Sequence, residues 1–221
     1  MSTEQRPPLV QVWDPLVRIG HWILVVAFFT AWFTGEDEGL VHVYAGYTVG
    51  AVVVLRILWG FIGSRHARFA DFVRGPGAVF SYVRSLFTRT PQHFLGHNPA
   101  GGLMILLLLG SLAATTWTGL KLYAVEENAG PLASLGAGPA LSVAPVVRNA
   151  VAEEEAEDNE HSASAAGAES DGEEYWEELH ELFATITLWL VGLHVAGVLI
   201  GCWRHRENLI RAMVSGLKRQ A

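Results

Sequence analysis

The chain has 221 residues, a net charge of −7, 51% apolar residues and a single cysteine. Length alone allows one or two soluble domains. The apolar residues, however, fall into four blocks near the roughly 20 residues needed to cross a hydrocarbon core, which excludes an ordinary water-soluble fold. The lone Cys202 excludes an internal disulfide and any CxxC metal or c-type haem site, and reads as a small buried or inner-surface thiol.

The N-terminal residues 1–9 are polar and lack a cleavable signal pattern, so insertion is expected to rely on the first apolar block. That block covers 16–34, reading LVRIGHWILVVAFFTAWFT, and a short acidic turn follows. The second block covers 41–62. In the basic stretch 63–92, Val79, Phe80, Val83, Leu86 and Phe87 recur at helical spacing, with Arg84 and Arg89 interleaved. This predicts either an amphipathic helix on the membrane surface or a packed loop helix. The third block, 103–123, follows HNPAGG. Residues 124–174 are rich in Ala, Gly, Ser and Glu and lack the apolar surface to offset their chain entropy, so disorder is expected over most of them. The fourth block covers 177–203, and a basic tail reads as a short amphipathic helix. Residues 1–221 thus predict one all-α integral membrane domain: a four-helix bundle, a cytoplasmic surface helix and a long, mostly disordered periplasmic loop.

The charges are sorted by connection. Arg6, Arg18, Arg56, Arg65, Arg68, Arg74, Arg84, Arg89 and the basic residues after Trp203 fall on one side of a four-span layout, and only Lys121 and Arg148 on the other. The positive-inside rule places both termini and the middle connection in the cytoplasm of a bacterial inner membrane. Glu36, Asp37, Glu38 and the acidic loop then face outward. No nucleic-acid partner is expected; membrane lipid is.

Polar side chains inside a bilayer are costly and ask for a reason. His180 and His194 share the fourth block, fourteen residues apart, or about 21 Å along a helix axis and on nearly the same face. His21 lies one turn inside the cytoplasmic end of the first helix, and His42 in the first turn of the second. Depth therefore pairs His42 with His180 in an outer layer and His21 with His194 in an inner one. Opposed imidazoles on neighbouring helices make an axial pair for a haem iron. Two such ligands leave no open position for oxygen, which favours outer-sphere electron transfer. The alternative is four separate helix-to-helix hydrogen-bonding residues. A divalent-ion site is disfavoured because almost no carboxylates stand beside the histidines.

Arg56, fourteen residues after His42, reaches the inner level on the same helix face. There it serves either as a partner for a haem propionate or as a cation snorkelling to headgroups. Arg18 and Lys121 carry the same two readings at the inner and outer levels. His66, His93, His161 and His205 lie in loops or tails and read as solvated.

The stretches WDPLVRIGHW, HVYAGYTVGAVVVLRILWGFIG, HNPAGGLMILLLLGSLAATTWTGL and ELHELFATITLWLVGLHVAGVL resemble the four helices of the bacterial cytochrome b561 family, which includes the b-type cytochrome subunits of nickel–iron hydrogenases. The resemblance covers nearly the whole chain except its start and the acidic loop. It implies two haem b groups with the ligand pairs above. It also implies electron exchange with a quinone pool and with a redox partner, here a periplasmic c-type cytochrome or oxidoreductase subunit. The loop departs from the family pattern and leaves that partner open. His97 and Asn98, just before the third helix, are candidates for a quinone headgroup site; Asn98 with Pro99 also reads as a helix N-cap. Two other functions fit the same residues: a stand-alone quinol oxidase, or a haem-free anchor or transporter. Missing carboxylate relays and internal repeats disfavour the transporter.

Overall fold

The structure, a computed structural model, describes residues 9–36, 39–88, 90, 92, 94, 96–133 and 160–219. Arg6, Asp37, Glu38, Arg89, His93 and Arg148 lie outside the described residues, as does the acidic loop over 134–159.

The fold is all-α. Strand β1 (Leu9–Gln11) precedes helices α1 (Pro15–Phe33) and α2 (Leu40–Ile62). A 3-10 turn (Arg65–Ala67), α3 (Phe69–Phe72) and α4 (Pro76–Ser85) lead to α5 (Pro99–Glu126). Helix α6 (Glu160–His205), α7 (Leu209–Ser215) and strand β2 (Leu217–Arg219) close the chain. Four helices are long and apolar enough to cross a membrane: Pro15–Phe33, Leu40–Ile62, Pro99–Glu126 and Gly172–His205.

Helix starts follow local chemistry. Asp14 caps α1, its Oδ1 accepting from the Val17 amide at 2.9 Å, with Pro15 at the first helical position. Asn98 does the same for α5, accepting from Gly101 N at 2.7 Å ahead of Pro99. Both polar caps lower the cost of unpaired amides at a helix end.

The chain divides into two compact units, one of residues up to Ala113 with those from Ala184 on, the other of Ala114–Phe183. In the first, all four long helices meet in one core. Ala27 and Phe28 of α1, Val49 and Val53 of α2, and Leu109 and Leu112 of α5 are buried, with Leu188 and Val191 of α6 against them. The opposite faces carry exposed Ile19, Val26, Leu55, Leu58, Leu107, Trp189, Leu193 and Leu199. Such a surface is untenable in water and natural in lipid, where helix packing rests on van der Waals fit.

Two features add to the expected layout. The segment 124–174 is helical at both ends: α5 runs to Glu126 and α6 begins at Glu160. Its Ala and Glu residues are strong helix formers, and each end is continuous with a long apolar helix, so propagation needs no new nucleus. The chain ends also hold a ribbon that the sequence did not announce, β1 pairing antiparallel with β2, Val10 opposite Lys218. Gly216 makes the turn after α7 at φ 81°, and its carbonyl accepts from Val12 N at 2.9 Å. A Cβ there would stand 2.8 Å from the Trp13 carbonyl oxygen, so glycine is required both by conformation and by space.

Candidate redox site

At one level of the first unit, His21 of α1 and His194 of α6 face each other with ring centroids 6.4 Å apart and planes tilted 54°. Two imidazoles that share one metal ion in line, each about 2 Å from it through a ring nitrogen, have centroids roughly 6 Å apart. The spacing therefore suits one coordinated ion between the rings and is too long for a direct hydrogen bond. His21 Nδ1 is buried with no hydrogen-bond partner, an unmet polar demand at this level.

The other two predicted ligands are each oriented by a backbone carbonyl. His42 Nδ1 lies 2.9 Å from Ala31 O of α1. In the second unit, His180 Nδ1 lies 3.0 Å from Thr115 O and 3.2 Å from Thr118 Oγ1 of α5. Donation from Nδ1–H to a carbonyl fixes the tautomer that keeps the lone pair on Nε2, the usual preparation of a ligating histidine. Gly119 lets the His180 ring lie close to α5: a Cβ there would stand 2.8 Å from His180 Cε1.

Arg56 of α2 is a half-buried cation of the first unit. Its guanidinium carbon lies 5.6 Å from the Phe69 ring centroid and 5.8 Å from that of Phe72, a cation–π arrangement. Its Nη1 is buried without a hydrogen-bond partner. Arg18 donates to the carbonyl of Val214, while its Nε is buried and unpartnered. Lys121, in the second unit, places its ammonium 5.9 Å from the Trp117 ring and 6.0 Å from that of Trp176.

Below Arg56 sits a polar layer that sequence reading largely missed. Asp14 accepts from Trp59 Nε1 at 3.0 Å and from the Ser64 hydroxyl, tying the start of α1 to the end of α2. Burial pushes the Asp14 carboxyl up, but the hydrogen bonds from Ser64, Val17, Trp59 and Leu16 together outweigh it, so its pKa lies below the usual carboxylate value. The only sequence signal was the Asp-Pro pair of a helix start. His97 packs between Trp13 and Phe72, with ring centroids at 4.3 and 4.8 Å. Burial, with the charges of Arg56, His66 and Lys218, lowers its pKa to about 3, so the ring is neutral at ordinary pH. Its Nδ1 is buried without a partner. Asn98 is bonded to Gly101 and to the Tyr82 hydroxyl.

His66 and His205 are not simply solvated. His66 Nδ1 lies 3.1 Å from Asp71 Oδ2, and His205 Nε2 lies 3.2 Å from the Tyr82 hydroxyl, with the two rings stacked. Asp71 is a local partner, five residues beyond His66, whereas Tyr82 meets His205 because the basic connection folds onto the end of α6, which one-dimensional spacing does not reveal. The His161 side chain lies outside the described residues. Among the described residues, no group of three or more His, Cys, Asp or Glu is placed to hold a metal ion, so any iron held here would rest on imidazole pairs.

A family model described as prokaryotic cytochrome b561 matches residues 12–216. A probable Ni/Fe-hydrogenase B-type cytochrome subunit of Rhizobium leguminosarum bv. viciae is 28% identical over 149 residues, covering 55% of this chain and 62% of that protein. Its counterpart in Azotobacter vinelandii is 28% identical over 145 residues, covering 52% and 60%. The chain thus spans about three-fifths of the length of these curated relatives. No solved structure matches it.

Proposed function

The chain belongs to the prokaryotic cytochrome b561 family, and from that premise we propose that it carries electrons across the bacterial inner membrane between a quinone pool and a periplasmic redox partner, using two b-type haems. His21 and His194 would hold the inner haem, and His42 and His180 the outer. The observation that carries this reading is the 6.4 Å between the His21 and His194 rings. A bis-imidazole haem iron supplies one-electron transfer without an open coordination position.

The protein's own part is to orient, neutralise and keep dry. Ala31 O and Thr115 O hold the rings of His42 and His180 in the Nε2-ligating tautomer. Arg56, with Nη1 unpartnered, is the leading cation for an inner propionate; Arg18 and Lys121 are secondary candidates. His97 is the residue proposed to meet a quinone headgroup. Its neutral ring hydrogen-bonds the His66 backbone, which leaves Nδ1 to accept from a quinol hydroxyl. Asn98, bonded to Gly101 and Tyr82, would hold that entrance in shape.

The relatives are named as hydrogenase cytochrome subunits. That favours a partner enzyme over a freely diffusing carrier, and an electron-transfer subunit over a stand-alone oxidase. Both termini are proposed to lie in the cytoplasm, a placement that the arginine distribution supports.

The test is a set of four purified variants, each with one of these histidines changed to Ala. His21→Ala and His194→Ala should lose the same haem, and His42→Ala and His180→Ala the other. Full haem content in all four would end this proposal; losses that pair the histidines differently would replace the ligand assignment.

A further inference from the structure

We infer that α4 and α7 form an interfacial collar that inserts into the headgroup layer of the membrane and selects anionic phospholipid. The inference is independent of the haem reading.

The first observation is which way each short helix faces. At about 100° per residue, taking Phe80 as the origin, Val83, Arg84 and Phe87 all fall within about 60° of it. Tyr82 and Ser85 fall roughly 140–160° away. Those two are buried against the protein. On the opposite side Phe80 is 71% exposed, and Phe87, just past the helix end, 88%. Helix α7 repeats the pattern. Ala212 is buried, while Ile210 and Val214, one turn apart, are exposed, Val214 by 61%. A soluble surface helix has the reverse polarity, with its large apolar residues inward.

The second observation is continuity with the spans. Phe61 and Ile62, the last residues of α2, are exposed apolar residues, so lipid-facing surface runs up to the segment that carries α4. Trp203, near the end of α6 and six residues before α7, is also exposed, at the level where tryptophans mark a membrane–water boundary.

The third is charge. Arg65, Arg74, Arg84, Arg206 and Arg211 are exposed around the two helices. In residues 63–96 and 203–221 the only acidic residues are Asp71 and Glu207. Both are engaged, Asp71 with His66 at 3.1 Å and Glu207 with Lys218 at 3.1 Å. Arg84 borders the exposed apolar face of α4, about 40° around the helix from Phe80. In a protein–protein contact it would need a buried acidic partner. At a bilayer surface its guanidinium reaches the phosphates while its stem and Phe80 enter the acyl boundary. The occupant is therefore a bilayer carrying negative lipid.

The experiment uses the full chain in nanodiscs, with Cys202→Ala as parent and single cysteines at Phe80, Val83, Val214 and, as a polar control, Thr90, each carrying an environment-sensitive fluorophore. Circular dichroism equal to that of the parent certifies each fold. Labels at 80, 83 and 214 should be quenched by lipids brominated near the headgroup end of the acyl chain and shielded from iodide, with the label at 90 showing the reverse. Labels quenched by iodide would overturn the insertion. Labels shielded from both quenchers would mean that protein, not lipid, covers the face, and would overturn it equally. In nanodiscs of phosphatidylcholine with phosphatidylglycerol, spin-labelled phosphatidylglycerol should be immobilised at least twofold more than spin-labelled phosphatidylcholine. Combining Arg74→Gln, Arg84→Gln and Arg211→Gln should abolish the difference. Equal immobilisation around the parent would refute the anionic preference.

Discussion

Adding one methyl group at Gly119 should disable one redox centre and spare the other. The new Cβ would lie 2.8 Å from His180 Cε1 and 3.1 Å from Nδ1, several tenths of an ångström inside ordinary contact. The ring must move, and its bonds to Thr115 O and Thr118 at 3.0 and 3.2 Å move with it. Overpacking of this kind costs about 1–3 kcal/mol, while Gly→Ala inside a helix returns about 1 kcal/mol. A net loss of up to roughly 2 kcal/mol would weaken retention of the haem proposed at His180 by on the order of tens-fold. Gly110, on the same helix, is exposed with nothing within 4 Å of a Cβ, so Gly110→Ala is the control. The assay is haem per chain with a redox titration that resolves the two centres. Gly119→Ala should lose occupancy, or shift the potential, of the centre that disappears in His180→Ala, and Gly110→Ala should match the parent. Full occupancy and unchanged potentials in Gly119→Ala would refute the role assigned to the His180 ring.

Two further outcomes follow from the polar layer. His97 is held neutral, with its folded pKa lowered to about 3 from 6.5. Its contribution to stability is full above pH 6.5 and declines as pH falls toward 3, by on the order of 2 kcal/mol between pH 6.5 and 5. Thermal unfolding in detergent should lose stability over that window, and His97→Gln should flatten the loss; an identical pH profile in the variant would contradict the assignment. Asp14→Ala removes the α1 cap and the acceptor of Trp59 and Ser64 and should destabilise by about 1–3 kcal/mol. It should also lower the occupancy of the haem proposed at His21 and His194 more than that of the one proposed at His42 and His180. A melting temperature equal to the parent's would show that the link between α1 and α2 contributes nothing.

The spans were legible because a bilayer demands a long apolar run, and the runs at 16–34 and 41–62 meet α1 and α2 within a residue at each end. The third apolar block begins only at 103, but the Asn98–Pro99 pair, readable as a helix N-cap, marks where α5 starts. The inner histidines were legible as a pair because depth along two helices is a one-dimensional quantity, and His21 and His194 do meet. Contacts made by folding back were not legible. The β1–β2 ribbon joins residues more than two hundred positions apart through three residues a side, too short for a period to register. Thr115 and Thr118, which orient His180, look in sequence like any small residues at a helix interface. The bonds of Asp14 to Trp59 and Ser64 depend on where α2 ends in space, which the Asp-Pro pair alone does not reveal.

The most direct measurement is haem b per chain in the purified protein, by pyridine haemochrome absorbance against quantitative amino-acid analysis, with a reduced-minus-oxidised spectrum. Two haems per chain with a low-spin bis-imidazole spectrum is the predicted result. A colourless protein, or one whose reduced haem binds carbon monoxide readily, would contradict it, since the first leaves the histidine pairs without an iron and the second requires an open coordination position.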